Sequence, residues 1–256
     1  ASGFDDLLVL NYGRNRIWIN NGDGTFNDHS ERLLPDDAVW STSGAIADIN
    51  ADGLCDIVIA NYCAGLEPAT LHCRVVNTDF IRSCSPNQFP SEPDHFYAGT
   101  PEGRFIDASE SWNAKPAILG RGLGVVAGSF DNVQGIDVLI ANDMTTNHYW
   151  SATTKGESFQ FNESGSIRGV AAYGQSRSQG SMGIAVADFN DDQIADFYVS
   201  NYEHEYNLLS LSQDAIGWRD QTSIMQLATP TMPLVGFGTQ AIDFGNDGSR
   251  ELIVTN

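Results

Sequence analysis

Residues 48–61 read DINADGLCDIVIAN, and the unit returns as SFDNVQGIDVLIAN (129–142), DFNDDQIADFYVSN (188–201) and DFGNDGSRELIVTN (243–256). ASGFDDLLVLN at 1–11 matches its last part. An acidic loop running at once into a β-rich apolar stretch, five times over, confines the chain to a repeat architecture. The acidic residue that opens the apolar run recurs at Asp6, Asp56, Asp137, Asp196 and Glu251, at spacings of 50, 81, 59 and 55 residues. Solenoid repeats are shorter, roughly 20–45 residues, so this period with strand-like content points to propeller blades.

The rest of the unit repeats as well. Before each acidic loop stands a small-x-small strand, Ser41/Ser43, Gly122/Gly124, Ser181/Gly183 and Gly236/Gly238. This suits an innermost strand near a crowded axis, where alternate side chains face the same way. The apolar run ends in Asn11, Asn61, Asn142, Asn201 or Asn256, read as a strand-end turn residue. A third strand follows at Asn15, Asp94, Asn147 and Asn207. A fourth carries an aromatic-x-acidic signature, Phe26 to Asp28, Phe105 to Asp107, Phe161 to Glu163 and Trp218 to Asp220. Between these two strands, NNGDGTF (20–26) has the Asn-Gly and Asp-Gly pairs of a tight hairpin. The expected fold is therefore all-β, a β-propeller of four-stranded antiparallel blades. Its units run approximately 1–40, 41–117, 118–178, 179–232 and 233–256, with a Cys-bearing insertion at 63–93.

The loops carry the chemistry. With Asp48 as position 1, positions 3, 5 and 9 are Asn50, Asp52 and Asp56, Gly53 is at 6, and the Leu54 carbonyl is at 7. Alternating oxygen ligands, a glycine for the sharp turn and one backbone carbonyl suit Ca²⁺, a hard cation with flexible coordination, better than octahedral Mg²⁺. An EF-hand is excluded, because position 12 is Ile59 within a strand rather than a bidentate Glu. Asp188, Asn190, Asp192, Ile194 and Asp196 repeat every ligand, with Gln193 in place of the glycine. The last copy keeps Asp243, Asp247, the Ser249 carbonyl and Glu251, but has Gly245 at position 3. The 129–137 copy has Ser129 and Val133 at positions 1 and 5, leaving Asp131 and Asp137, and is expected to be empty or weak. The competing reading throughout is an Asx-type turn with solvated carboxylates and no metal.

Composition narrows the partners. A formal charge of −20, from 33 acidic against 13 basic residues, opposes nucleic acid and anionic membranes and favours cations. No run approaches the ~18 apolar residues of a membrane span. Cys55, Cys63, Cys73 and Cys84 fall within one window without a CxxC pair, which suggests disulfides and an oxidising compartment. Cys55 and Cys63 lie roughly 26 Å apart if extended at about 3.3 Å per residue, so Cys73 with Cys84 is the preferred bridge. Free buried thiols compete as the reading of the other two.

The motifs DxNxDGxxDIVIAN, NRIWINNGDGTF, IANDMTTN, SMGIAVADFN and VGFGTQAIDFGNDG resemble the FG-GAP/VCBS repeat propellers, in the branch that includes cartilage acidic protein and bacterial proteins with an ASPIC/UnbV segment. The resemblance implies a calcium-binding propeller with blades similar to the integrin α-subunit head, secreted or at the cell surface. It also implies a cysteine pair in the insertion, in agreement with Cys73 and Cys84. Because strand two occurs both at LLVLN and at LIVTN, the chain is expected to be an excerpt of a longer propeller, for which the resemblance implies seven blades; the alternative is an open arc whose edge strands pair with another chain. The expected function is a non-enzymatic adhesion, binding or structural module whose partner is an extracellular protein or glycan, or a further copy in a surface assembly. The alternative is a lyase-like, polysaccharide-active enzyme. Against it, no GxSxG motif and no paired carboxylates outside the metal loops are visible. The GxGxxA within GRGLGVVAG is absorbed by the small-x-small positions, and His95 and His148 occupy ordinary strand-three positions. His204, flanked by Glu203 and Glu205, reads as part of a solvated loop.

Overall fold

The computed structural model describes residues 3–65, 67–131, 133–156, 158–173, 177–213 and 217–256. Ala1, the residue matching motif position 4, lies outside them. The chain is all-β, and its antiparallel sheets stand side by side as propeller blades. In blade 2 the inner strand Ala38–Ala47 pairs with Asp56–Asn61, then His95–Gly99, then Phe105–Asp107. Blade 3 runs Gly122–Gly128, Asp137–Thr145, His148–Lys155 and Ser158–Glu163; blade 4 runs Ile184–Ala187, Asp196–Val199, Leu208–Gln213 and Gly217–Asp220. Blade 1 contributes Leu7–Val9, Arg16–Asn20 and Phe26–Asp28, and blade 5 the pair Thr239–Ile242 and Glu251–Val254. One register serves four blades: Ala47 lies opposite Asp56, Gly128 opposite Asp137, Ala187 opposite Asp196, and Ile242 opposite Glu251.

In blades 2, 3 and 4 the apolar run of the second strand is continuous because both of its faces are buried. Alternate side chains point to opposite neighbours. Ile57 and Ile59 pack with Ile17 and Leu33 of blade 1, whereas Val58 and Ala60 join Val138, Ile140, Trp150 and Phe161 of blade 3. In blade 3, Leu139 and Tyr149 face the other way, onto Phe197 and Trp218 of blade 4. Tyr198 and Leu209 of blade 4 in turn meet Leu252 and Val254.

The small residues of the inner strands let neighbouring backbones touch. A Cβ on Gly124 would sit 2.1 Å from the Met182 carbonyl oxygen, and one on Gly183 would sit 2.1 Å from that of Phe237. Nearby, the Thr42 hydroxyl donates to the Gly122 carbonyl at 2.7 Å.

Four of the five strand-end asparagines close a turn. The Asn61 N–H donates to Asp94 Oδ1 at 2.9 Å, and its side-chain amide donates to the Pro93 carbonyl. Asn11 uses Asn15, Asn142 uses Asn147 and Asn201 uses Asn207 in the same way. The start of strand three is thereby pinned to the end of strand two, at about 1 kcal/mol per hydrogen bond.

The insertion leaves the frame after Asn61 and returns through a Cys63 to Ser91 bridge. Within it, the hairpin His72–Arg74 with Ile81–Ser83 is closed by a Cys73–Cys84 disulfide. Cys55 and Cys63 are free thiols, the first exposed and the second buried.

Gly124→Ala forces Met182 away from the axis, so its free energy of unfolding should fall by at least about 1–3 kcal/mol. Urea unfolding measures this; a variant as stable as wild type would refute backbone contact as the determinant of blade spacing.

Candidate metal loops

Three of the acidic loops are built by one hydrogen-bond pattern. In the first, Asp48 accepts the N–H groups of Asp52 and Gly53, each at 3.0 Å, Asp52 Oδ1 accepts that of Leu54, and Asp56 Oδ2 accepts that of Ile49. In the second, Asp188 accepts from Asp192 and Gln193, Asp192 from Ile194, and Asp196 from Phe189. In the third, Asp243 accepts from Asp247 and Gly248, Asp247 from Ser249, and Glu251 from Phe244. The turn needs left-handed backbone at two residues. Position 4 takes it as Ala51 (φ 60°), Asp191 (φ 60°) and Asn246 (φ 52°); position 6 takes it as Gly53 (φ 88°), Gln193 (φ 67°) and Gly248 (φ 93°).

These folds draw the side-chain oxygens together. The Asp52 N–H lies 3.0 Å from both Asp48 Oδ1 and Asn50 Oδ1, and the Asn50 amide lies 3.0 Å from Asp52 Oδ2. The position-9 acid also ties the loop to strand three: Asp56 accepts the Gly99 N–H and Asp196 the Ser212 N–H. Burial, opposed by these hydrogen bonds and reinforced by Asp52, pushes the Asp56 carboxyl above its ordinary range; Asp196 is raised in the same way, with Asp192 and Asp188 adding to the effect. An all-oxygen set under mutual repulsion fits a hard divalent cation. Asp48, Asn50, Asp52, the Leu54 carbonyl and Asp56 would hold it in the first loop, their counterparts in the second, and Asp243, Asp247, the Ser249 carbonyl and Glu251 in the last. Among the described residues no three His, Cys, Asp or Glu side chains are already gathered about one point, because these carboxylates are turned onto the loop's own N–H groups.

The 129–137 loop differs. Asp131 accepts the Val133 N–H at 2.8 Å and pairs with Arg168 at 2.7 Å. Asp137 accepts from the Ala152 N–H and the Tyr149 hydroxyl, each at 2.8 Å.

At the other end of the blades the chain brings together groups that their sequence positions do not connect. Tyr12, Trp40 and Tyr62 stand edge to face, with centroids 5.2 and 5.0 Å apart. The Tyr62 hydroxyl donates to Asp143. A Cβ on Gly180 would lie 3.1 Å from Asp143 Oδ1 and 3.7 Å from Glu205 Oε2, so the two carboxylates flank the same backbone position. Burial raises both, and each is in turn bonded, Asp143 to Tyr62 and Glu205 to the Gly180 N–H. Glu205 thus turns inward, away from His204, which is exposed as expected. His148 sits in strand three as expected and is buried there, with Nε2 3.1 Å from the Ile118 carbonyl oxygen and Nδ1 4.0 Å from Asp94. The signal for this contact was Asp94 itself, the one acid at a position that is Asn15, Asn147 and Asn207 elsewhere.

Gln193→Gly removes a side chain from a left-handed position and should stabilise the protein by about 1 kcal/mol in urea unfolding; no gain would show that the loop tolerates Gln193 without strain. Burial pushes the Asp94 carboxyl up to about 7 and holds the His148 imidazole below its usual value. A raised carboxyl contributes stability that is complete below its unfolded pKa of about 4 and is lost as pH rises through 7. His148 works in the opposite sense, since its contribution is lost as pH falls below about 6.5. Asp94→Asn keeps the acceptor for Asn61, so it should stabilise the protein at pH 8 and lose that advantage toward pH 5. An advantage constant across this range would remove Asp94 from the pH dependence.

Residues 1–59 match the model of a family described as FG-GAP-like repeat. A search of the curated proteins finds no match. Among solved structures, the crystal structure of the exotype rhamnogalacturonan lyase YesX is similar over 96% of this chain at 16% identity, with a TM-score of 0.43. The chain spans 40% of that lyase's length. The match to the FG-GAP-like repeat model thus covers the N-terminal part of a chain of propeller blades, up to the second strand of blade 2.

Proposed function

We propose that this chain is a non-enzymatic, calcium-stabilised propeller module that binds an extracellular protein or glycan, in adhesion or as part of a surface assembly. The observation that carries this reading is the strip of Tyr12, Trp40, Tyr62 and Asp143 at the blade ends remote from the acidic loops. Aromatic faces beside hydrogen-bonding carboxylates are the means by which rigid surfaces hold sugars and polypeptides. Tyr202, 57% exposed, occupies in blade 4 the position of Tyr62, directly after the strand-end asparagine. The acidic loops serve the frame: Ca²⁺ there relieves carboxylate crowding and ties loop to strand. An extracellular setting is supported by the Cys73–Cys84 disulfide. No helix among the described residues is long and apolar enough to cross a membrane. An open depression of about 610 Å³ beside Lys155 and Arg168 has no carboxylate or histidine on its walls.

Two measurements test the reading. Melting with Ca²⁺ and with chelator should differ for wild type and differ less for Asp52→Ala, with affinity on the order of 10⁻⁴ to 10⁻³ M; identical melting in every case excludes calcium. Calcium-loaded protein passed over panels of matrix proteins and polysaccharides should retain a ligand that Trp40→Ala releases, whereas turnover of a polysaccharide would make the chain an enzyme.

A further inference from the structure

The four acidic loops share one strand register, yet one of them does not fit a metal. In blade 3, positions 1 and 5 are Ser129 and Val133, which offer no carboxylate. The acid at position 3, Asp131, has a side chain only 2% exposed, and both of its oxygens are engaged, one by the Val133 N–H and one by the Arg168 guanidinium. Position 9 is rewired too. Asp56, Asp196 and Glu251 each accept the N–H of the position-2 residue, whereas Asp137 accepts the Tyr149 hydroxyl instead. The position-2 residue here, Phe130, turns its ring into the core, 5.1 Å from Phe197.

Arg168 is delivered by structure rather than by chance. It ends the short helix Gly165–Arg168, which follows the fourth strand of the same blade and closes on Gly169 in left-handed conformation. A Cβ on Gly169 would lie 2.2 Å from the Trp218 carbonyl oxygen, so blade 4 fixes where this turn stands. The guanidinium side chain is 16% exposed.

We propose that blade 3 has exchanged a divalent cation for a guanidinium, so that its loop is ordered by Arg168 and is indifferent to metal while the other loops respond to it. The contrast rests on the calcium reading of those loops; the role of Arg168 does not. A permanently charged donor suits this position, because Asp131 is buried and retains one oxygen for a single charge-assisted hydrogen bond.

Hydrogen exchange read by mass spectrometry, with Ca²⁺ and with chelator, tests this on wild type, Arg168→Ala and Arg168→Lys. In wild type, chelation should deprotect peptides covering 48–56 and 188–196 while those covering 129–137 stay protected. Loss of protection at 129–137 on chelation would overturn the proposal. Arg168→Ala should deprotect 129–137 with or without Ca²⁺ and lower the melting temperature by about 10 °C, while Arg168→Lys keeps most of the protection. A protected 129–137 loop in Arg168→Ala, or a lysine variant as deprotected as the alanine one, would overturn it as well. If no loop responds to chelation, the calcium reading fails, and the Arg168 variants still decide the role of the guanidinium.

Discussion

The whole arrangement depends on the second strands of blades 2, 3 and 4 being buried on both faces. Ile57 and Ile59 need blade 1, and Val58 and Ala60 need blade 3. Each such isoleucine or valine gains roughly 1.5–3 kcal/mol by leaving water, and that gain is divided between the sheets of two neighbouring blades. No blade is therefore a stable unit by itself, and the interlocked aromatic layers of Phe96, Trp150 and Phe161, then of Phe197, Tyr149 and Trp218, make the blades cooperative.

Against that apolar frame the acidic loops are a concentrated expense. Asp56 and Asp196 have no solvent exposure at all, although each begins a strand whose next residues are wholly apolar. Their burial is offset locally by backbone donors from two directions, the loop and strand three, which makes the same carboxylate both a turn anchor and a sheet tie. The loop is thus a joint of the blade, and a cation held there would reinforce an organisation that the hydrogen bonds already define.

What was legible in the sequence was what recurs. The continuous DIVIAN-type runs, the small-x-small pairs before them and the aromatic-x-acidic fourth strands made the strand order readable, because each reports an environment that blades 2, 3 and 4 share. The Cys73–Cys84 pair was legible because its hairpin is local. The contacts that escaped are those in which blades differ from one another: Asp94 with His148, Asp143 beside Glu205, Arg168 on Asp131. The first two join side chains from different blades, and the third joins a loop to a helix that no periodicity marks. In two of these the clue was a departure from the repeat, an aspartate among asparagines and a valine among aspartates, whose compensation lay elsewhere in the chain.

The approach of Gly124 to the Met182 carbonyl and of Gly183 to that of Phe237 has a consequence for how such a molecule diversifies. Where spacing at the axis is set by main-chain atoms, as between blades 3 and 4 and between blades 4 and 5, it does not depend on the side chains that the outer strands carry. Blades then become interchangeable parts: an outer strand, an insertion such as 63–93 or an entire loop chemistry can drift in one blade without disturbing the pitch of the others.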